Sequence, residues 1–262
     1  MGSSYIKVER KDHILLIGIT RPEKRNAFDI QMFIDVARAY GELHRDPELW
    51  CGLLYAEGPH FTSGLELDKW AEPFGKGQFP DLPEDCIDPV GLNEDKRLGK
   101  PMVMAAQGYC YTIGMEMMLA TDVRVAASDT RFAQLEVKRG IYPVGGGTVR
   151  LLHEVGWSNA MRYLLTGDEI NAAEALRMGM VQEVVEPGRQ FQRALELAER
   201  IAKQAPLAVQ TCLKSSRLAR VDGDRAALAR LLPDIMPLMT SEDVKEGVMS
   251  FIERREAKFK GR

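Results

Sequence analysis

The chain has 262 residues, 45% of them hydrophobic and 28% charged, and a formal net charge of −3. That composition supports a full hydrophobic core and excludes wholesale disorder, while the acidic balance argues against a nucleic-acid partner. No apolar run reaches the ~20 residues of a membrane-spanning helix, and the opening MGSSYIKVERKDH has no signal-peptide stretch, so neither membrane insertion nor secretion is expected.

From Tyr5 the pattern reads strand, tight turn, strand: YIKVER, KDH, ILLIGIT. RPEKRNAFD is turn-like, and from Asp29 onward Met32, Phe33, Val36, Ala37 and Tyr40 recur at helical spacing. CGLLYAEG is a buried strand, followed by PHFTSGLELDKW and a weakly periodic, Pro-, Gly- and acid-rich region over 71–99. PMVMAAQG is another buried strand, YTIGMEMMLA a Gly-bearing helix start, and DVRVAAS a further strand. GGGTVRLLHEVG, SNAMRYLLTG and NAAEALRMGM read as helices, the last with Asn171 and Glu174 as a capping box. VQEVVEPG is a strand with a Pro-Gly stop. Beyond it the pattern is helical only, with breaks expected at Pro206, near Gly223, and at Pro233 and Pro237. The chain thus divides into a mixed α/β part, 1–187, and an all-helical part, 188–262.

There is an internal echo. GLLYAEG…TSGLEL and MVMAAQG…TIGMEM repeat one order: strand, Gly turn, helix start. Parallel strands need crossover connections, so two such units predict a repeated βα winding. Each unit places free N–H groups and the positive end of a helix dipole at its turn. The turns around Gly64 and Gly114, brought together, would supply the pair of donors that stabilises an oxyanion. PVGGGTV lacks the GK[ST] ending of a P-loop and reads as a flexible turn before a helix.

One acid interrupts GYCYTIGMEMMLATD: Glu116. A helix apolar all round is buried, and an unpaired carboxylate there costs several kcal/mol or becomes neutral. Glu116 is therefore either paired with a buried Arg or Lys, or turned toward a cavity where chemistry happens. Glu136, in QLEVKRG beside Lys138 and Arg139, reads on its own as a solvated surface acid. No GxSxG elbow is present, and nothing suggests a Ser–His–Asp arrangement. The four cysteines lack CxxC spacing and read as reduced thiols of a cytoplasmic protein. The four histidines are scattered, so no metal site is expected.

RPEKRNAFD, HFTSGLEL, QGYCYTIGMEMMLATDVRVA, FAQLEVKRGIYPVGGGTVRLL, LTGDEINAAEALRMGMVQEVV and the closing SFIERREAKF stand in the order and spacing of the crotonase family. The chain resembles that family over most of its length. The resemblance implies an α/β fold: a crotonase-like spiral of ββα units carrying an acyl-CoA site over 1–187, with a helical C-terminal oligomerisation region over 188–262. It also implies homotrimers that often pair into hexamers, and acyl-CoA thioester substrates whose enolate is held in an oxyanion hole. By position, the donors would be the backbone N–H groups of Leu65 and Ile113. Glu116 and Glu136 match the two glutamates of the enoyl-CoA hydratase branch, which together hold and activate one water. The same resemblance assigns substrate binding to Lys24, Arg25, Ala27, Ser63, Gly64, Leu67 and Gly114, with Lys24 and Arg25 near the CoA pyrophosphate. Phe259 and Lys260 of a neighbouring subunit would touch the adenosine. No metal or cofactor is implied beyond the CoA of the substrate. Trp70, Phe74 and Phe79 are candidate walls of the acyl pocket.

The chain also departs from the family. Thr112-Ile113-Gly114 stands where many members have three glycines, and Leu65 where a small residue is usual. Backbone donors survive both changes, but β-branched Ile113 narrows the pocket mouth. Val144 stands where the dienoyl-CoA isomerase branch has an aspartate, which argues against that chemistry. Two alternatives remain: an enoyl-CoA isomerase using Glu136 alone, and a non-catalytic or RNA-binding relative. The acidic charge and the presence of both glutamates weigh against the second.

Overall fold

The structure, a computed structural model, describes residues 5–93 and 96–262. Strands β1 (Ile6–Lys11) and β2 (Ile14–Ile19) pair antiparallel across a turn at Asp12, whose φ of 49° is one aspartate tolerates. All six β2 residues are buried, as in a strand covered on both faces. Helix α1 (Ile30–Arg45) follows, capped by the Asp29 carboxylate, which accepts from the Met32 N–H at 2.9 Å. Its Met32, Phe33, Val36 and Tyr40 stripe faces the core.

The winding then repeats. Strand β3 (Cys51–Ala56) leads to α2 (Leu67–Gly75), and β4 (Met102–Ala106) with β5 (Tyr109–Tyr111) leads to α3 (Ile113–Ala120). Strand β6 (Val123–Ala127), β7 (Arg131–Ala133) and a 3-10 turn at Glu136–Arg139 lead to α4 (Gly147–Val155) and α5 (Trp157–Thr166). Strand β8 (Ile170–Asn171), α6 (Ala172–Arg177) and β9 (Glu183–Val185) complete the spiral. The larger sheet has the order β1-β2-β3-β4-β6-β9, parallel throughout except for β1–β2, and β5-β7-β8 form a smaller one. The segments that follow successive strands also pair with each other: Phe28 with Leu65, and Thr62 with Cys110. This is the ββα spiral that the resemblance implies.

One face of the large sheet packs on α1 and α3 through residues such as Leu15, Ile17, Leu54 and Met104. Helix α7 (Gln190–Ala202) covers the other, setting Ala194, Leu195 and Ala198 against Leu16, Leu53, Val103 and Val125. Each fully buried Leu or Ile of this kind contributes roughly 1.5–3 kcal/mol. Helices α8 (Pro206–Asp222), α9 (Asp224–Met239) and α10 (Glu242–Glu253) follow, with α9 packed along α8. Pro206 sits in the first turn of α8, and Gly223, at φ 85°, separates α8 from α9. The breaks expected at Pro233 and Pro237 do not occur, because α9 runs through both. Each proline removes one helical hydrogen bond. The residues whose carbonyls lose that bond, Ala229 and Pro233, are exposed, so solvent can take its place. Among the described residues no helix is long and apolar enough to cross a membrane.

Candidate active site

The two Gly-bearing turns of the internal echo lie side by side. The Thr62 N–H donates to Tyr109 O at 2.8 Å and the Tyr111 N–H to Thr62 O at 3.1 Å. Both turns need glycine for this approach. A Cβ on Gly114 would come within 2.3 Å of Thr62 Cγ2, and one on Gly64, at φ 111°, within 2.5 Å of Thr112 Oγ1. Next to each of these glycines one N–H is uncommitted: neither Leu65 N, just after Gly64, nor Ile113 N, just before Gly114, has an acceptor among the described residues. Ile113 opens α3, where the first N–H groups have no partner within the helix. Thr112, just before it, holds φ 47° and ψ −112°, a backbone state that non-glycine residues seldom adopt.

Glu116 lies in the first turn of the same helix, of whose eight residues seven are buried, and is itself 4% exposed. It makes no ion pair among the described residues. Its Oε1 accepts the N–H of Gly145 at 2.7 Å and of Gly147 at 3.1 Å, both from the turn that opens α4. Burial pushes its carboxyl up to about 8; the two N–H donors and Arg150 oppose that shift, and the charge of Glu136 adds to it. Glu136 is half-buried at the start of the 3-10 turn, and burial pushes it up to about 7. The surface-acid reading of QLEVKRG is thereby corrected: the turn carries Glu136 inward while Lys138 and Arg139 are both left exposed. Gln134, buried beside it, donates from its amide nitrogen to both Glu136 oxygens at 3.1 Å in the orientation that satisfies the whole amide.

Lys24, Arg25 and Ala27 line an open cleft of about 500 Å³ together with Glu23, Glu66, Asp68 and Lys69. Its cations are partly committed, since Glu66 binds Lys24 at 3.0 Å and Arg21 at 2.8 Å. Ser63 joins this cleft to the donor turns, its N–H donating to Arg25 O at 3.0 Å, and Leu67 is exposed at the start of α2. Phe259 and Lys260 are not brought to the cleft within one chain. The Lys260 and Gly261 N–H groups bind the buried Asp243 carboxylate at 2.7 and 2.9 Å, and a Cβ on Gly261 would meet Trp50. Trp50 precedes β3 whereas the donor turn follows it, so the tail lies at the opposite end of the sheet.

Trp70 belongs to the core, fully buried against Phe33, with its indole N–H donating to Phe28 O at 2.9 Å; Phe74 and Phe79 pack on it. Sequence reasoning missed Gln134, Gly145, Gly147 and Arg150. The signal for the glycines was PVGGGTV, read only as a flexible turn, although N–H groups at a helix start are ready to hold a carboxylate. Among the described residues no group of His, Cys, Asp and Glu could hold a metal ion.

Known proteins match this chain over nearly its whole length. The model of the enoyl-CoA hydratase/isomerase family matches residues 9–262. Among characterised relatives, enoyl-CoA hydratase EchA19 of Mycobacterium tuberculosis is 34% identical over 97% of this chain and 96% of its own. The 2,3-dehydroadipyl-CoA hydratase of Escherichia coli is 30% identical over 99% of this chain and all of its own. The crystal structure of a probable enoyl-CoA hydratase/isomerase from Mycobacterium abscessus superposes with a TM-score of 0.95 at 44% identity, covering 98% of this chain and 99% of that one. With the ββα spiral, the paired Gly turns and the two inward glutamates already in place, a match of this extent means that the chain belongs to the enoyl-CoA hydratase/isomerase, or crotonase, family.

Proposed function

We propose that this enzyme adds water across the double bond of a 2-enoyl-CoA thioester. The observation that carries the reading is the pair of inward carboxylates, Glu116 and Glu136, both with acidity weakened by burial, the charge of Glu136 further disfavouring ionisation of Glu116. Such a pair keeps one proton between them near neutral pH, which is the state that hydration needs. One carboxylate takes a proton from water as its oxygen bonds to C3 of the enoyl group. The π electrons move onto the thioester as an enolate, and the other carboxyl group gives a proton to C2. The developing oxyanion is met by the N–H groups of Leu65 and Ile113; losing one such donor typically costs about 2.7–4 kcal/mol in other enzymes.

Lys24 and Arg25 would meet the CoA pyrophosphate in the open cleft, and the reaction needs no cofactor beyond the CoA of the substrate. The assembly we propose is a homotrimer or a dimer of trimers, joined through apolar residues that α9 and α10 leave exposed, among them Leu232 at 78% and Phe251 at 84%. That assembly would also let a neighbour supply Phe259 and Lys260. All four cysteines are free thiols, which fits a reducing cytoplasm. The test is a panel of 2-enoyl-CoA esters of graded chain length, followed by loss of enone absorbance. Turnover of at least one ester is expected, and none at all would sink the reading.

A further inference from the structure

The guanidinium of Arg150 lies where helix electrostatics alone would not put it. Arg150 is in the first turns of α4, 7% exposed, and its side chain folds back over the start of its own helix. Nη1 donates to Gly145 O at 3.3 Å, and a Cβ on Gly146 would come within 2.2 Å of the same nitrogen. A helix N-terminus carries the positive end of the dipole, so a buried cation there is unfavourable unless an anion offsets it. The carboxyl of Glu116 is seated at this helix end through the Gly145 and Gly147 N–H groups, where its ionised form offsets the cation. Nη2 meanwhile donates to Gly91 O at 2.6 Å, tying the glycine turn to the segment between α2 and β4.

We propose that Arg150 is a positioning residue of the active site: its guanidinium fixes the Gly145–Gly147 turn that seats Glu116 and balances the charge of that carboxylate. The inference rests on the hydratase reading only in taking Glu116 to exchange a proton during turnover. Two charged side chains act on Glu116 from facing elements: Glu136, after β7, disfavours its ionised form, and Arg150 favours it. The other ionisable groups of α4 are differently placed. Glu154 is engaged by Arg124 of β6 at 3.0 Å and Arg220 of α8 at 2.9 Å, and His153 is exposed.

The experiment compares Arg150→Met and Arg150→Lys with the wild type in the full-length chain. Infrared difference spectra against Glu116→Gln follow the Glu116 carboxyl through a pH titration without substrate, while kcat, KM and Tm are measured in parallel. Arg150→Met should move the Glu116 titration upward by about one pH unit, since a nearby opposite charge is removed. It should lower kcat by about 10²-fold through misplacement of the carboxylate, with KM little changed. Arg150→Lys should restore the titration but only part of the rate, because an ammonium lacks the planar fork that reaches Gly145 and Gly91 together. A titration that stays at the wild-type position in Arg150→Met, even with a lower Tm, would leave Arg150 a packing residue and overturn the proposal. Should Arg150→Met fail to fold, Arg150→Gln keeps a donor without the charge and is read in the same way. A wild type inactive on every enoyl-CoA would defeat the hydratase reading while the infrared titration still reported on Arg150, so the two failures are distinct.

Discussion

Glu116 and Glu136 arrive at weakened acidity from different surroundings. Glu116 is enclosed by its helix and held by two backbone N–H groups, whereas Glu136 is half-buried on a short turn beside Gln134. Replacing either with Gln keeps its size and removes its proton chemistry. Each single variant should lower kcat for hydration by ~10²–10⁴-fold with little change in KM, measured by loss of enone absorbance. The double variant should be far less than multiplicatively worse, because both groups act on one water. An isomerase would behave otherwise: Glu116→Gln would be mild and Glu136→Gln alone would abolish 3-enoyl to 2-enoyl conversion. Stability should report the same groups. Both carboxyls rise from an ordinary 4.5 to about 8 and about 7 in the folded chain, so the native state binds more protons than the unfolded one across that window. Unfolding free energy contributed by these groups is therefore present at low pH and lost as pH rises through the folded values. The Tm of Glu116→Gln, relative to wild type, should increase from pH 5 to pH 9, and parallel Tm curves would contradict the buried-carboxyl account. Glu116 could be singled out in the sequence because an acid within an apolar helix is conspicuous. Glu136 could not, since KR neighbours look solvated until the turn after β7 folds it inward.

The turn before α4 shows what local sequence hides. PVGGGTV has the composition of a loose connection, yet its three glycines have distinct duties. Gly146 takes φ 96° against the Arg150 guanidinium, while Gly145 has an ordinary backbone and is open only because the Glu116 carboxylate fills the space. A Cβ at position 145 would lie 2.5 Å from Glu116 Oε2 and 2.8 Å from its Cδ. Gly145→Ala should accordingly be tolerated by the fold, with a Tm close to wild type, while pushing the carboxylate off its two donors and lowering kcat by about tenfold or more. Unchanged kcat would mean that Glu116 works from another pose. Longer elements were legible because burial imposes a period: α1, β3 and β4 each advertise one face or a continuous apolar run. Strands β5, β7 and β8, of two or three residues, were not, since they exist through pairing with distant segments. The prolines of α9 misled for a related reason. Propensity counts their lost hydrogen bonds but not the packing along α8 that holds the helix together.

At the scale of the whole molecule, six motifs in order made the spiral readable, whereas the partner of the helical region left only an indirect trace. Apolar residues on α9 and α10 say that something covers them; they do not say which chain does. Leu231, Leu232, Ile235, Met236 and Met239 on α9, and Phe251 and Ile252 on α10, are all exposed in a single chain. That is more apolar surface than a solitary surface helix needs, and the proposed homotrimer would bury it between subunits. Leu232→Asp tests this directly. In a single chain the substitution touches little and should leave the fold intact. Inside an interface it would enclose an unpaired carboxylate, at a cost of several kcal/mol per subunit. Light scattering across micromolar concentrations should find the wild type as a trimer or hexamer and Leu232→Asp shifted to smaller species with unchanged far-ultraviolet circular dichroism. If Phe259 and Lys260 of a neighbour complete the CoA site, KM for enoyl-CoA should rise in the dissociated variant more than kcat falls, because what is lost is binding common to substrate and transition state. A wild type that is monomeric at these concentrations would contradict the assembly. A dissociated variant with unchanged KM would confine the CoA site to the Lys24–Arg25 cleft of one chain.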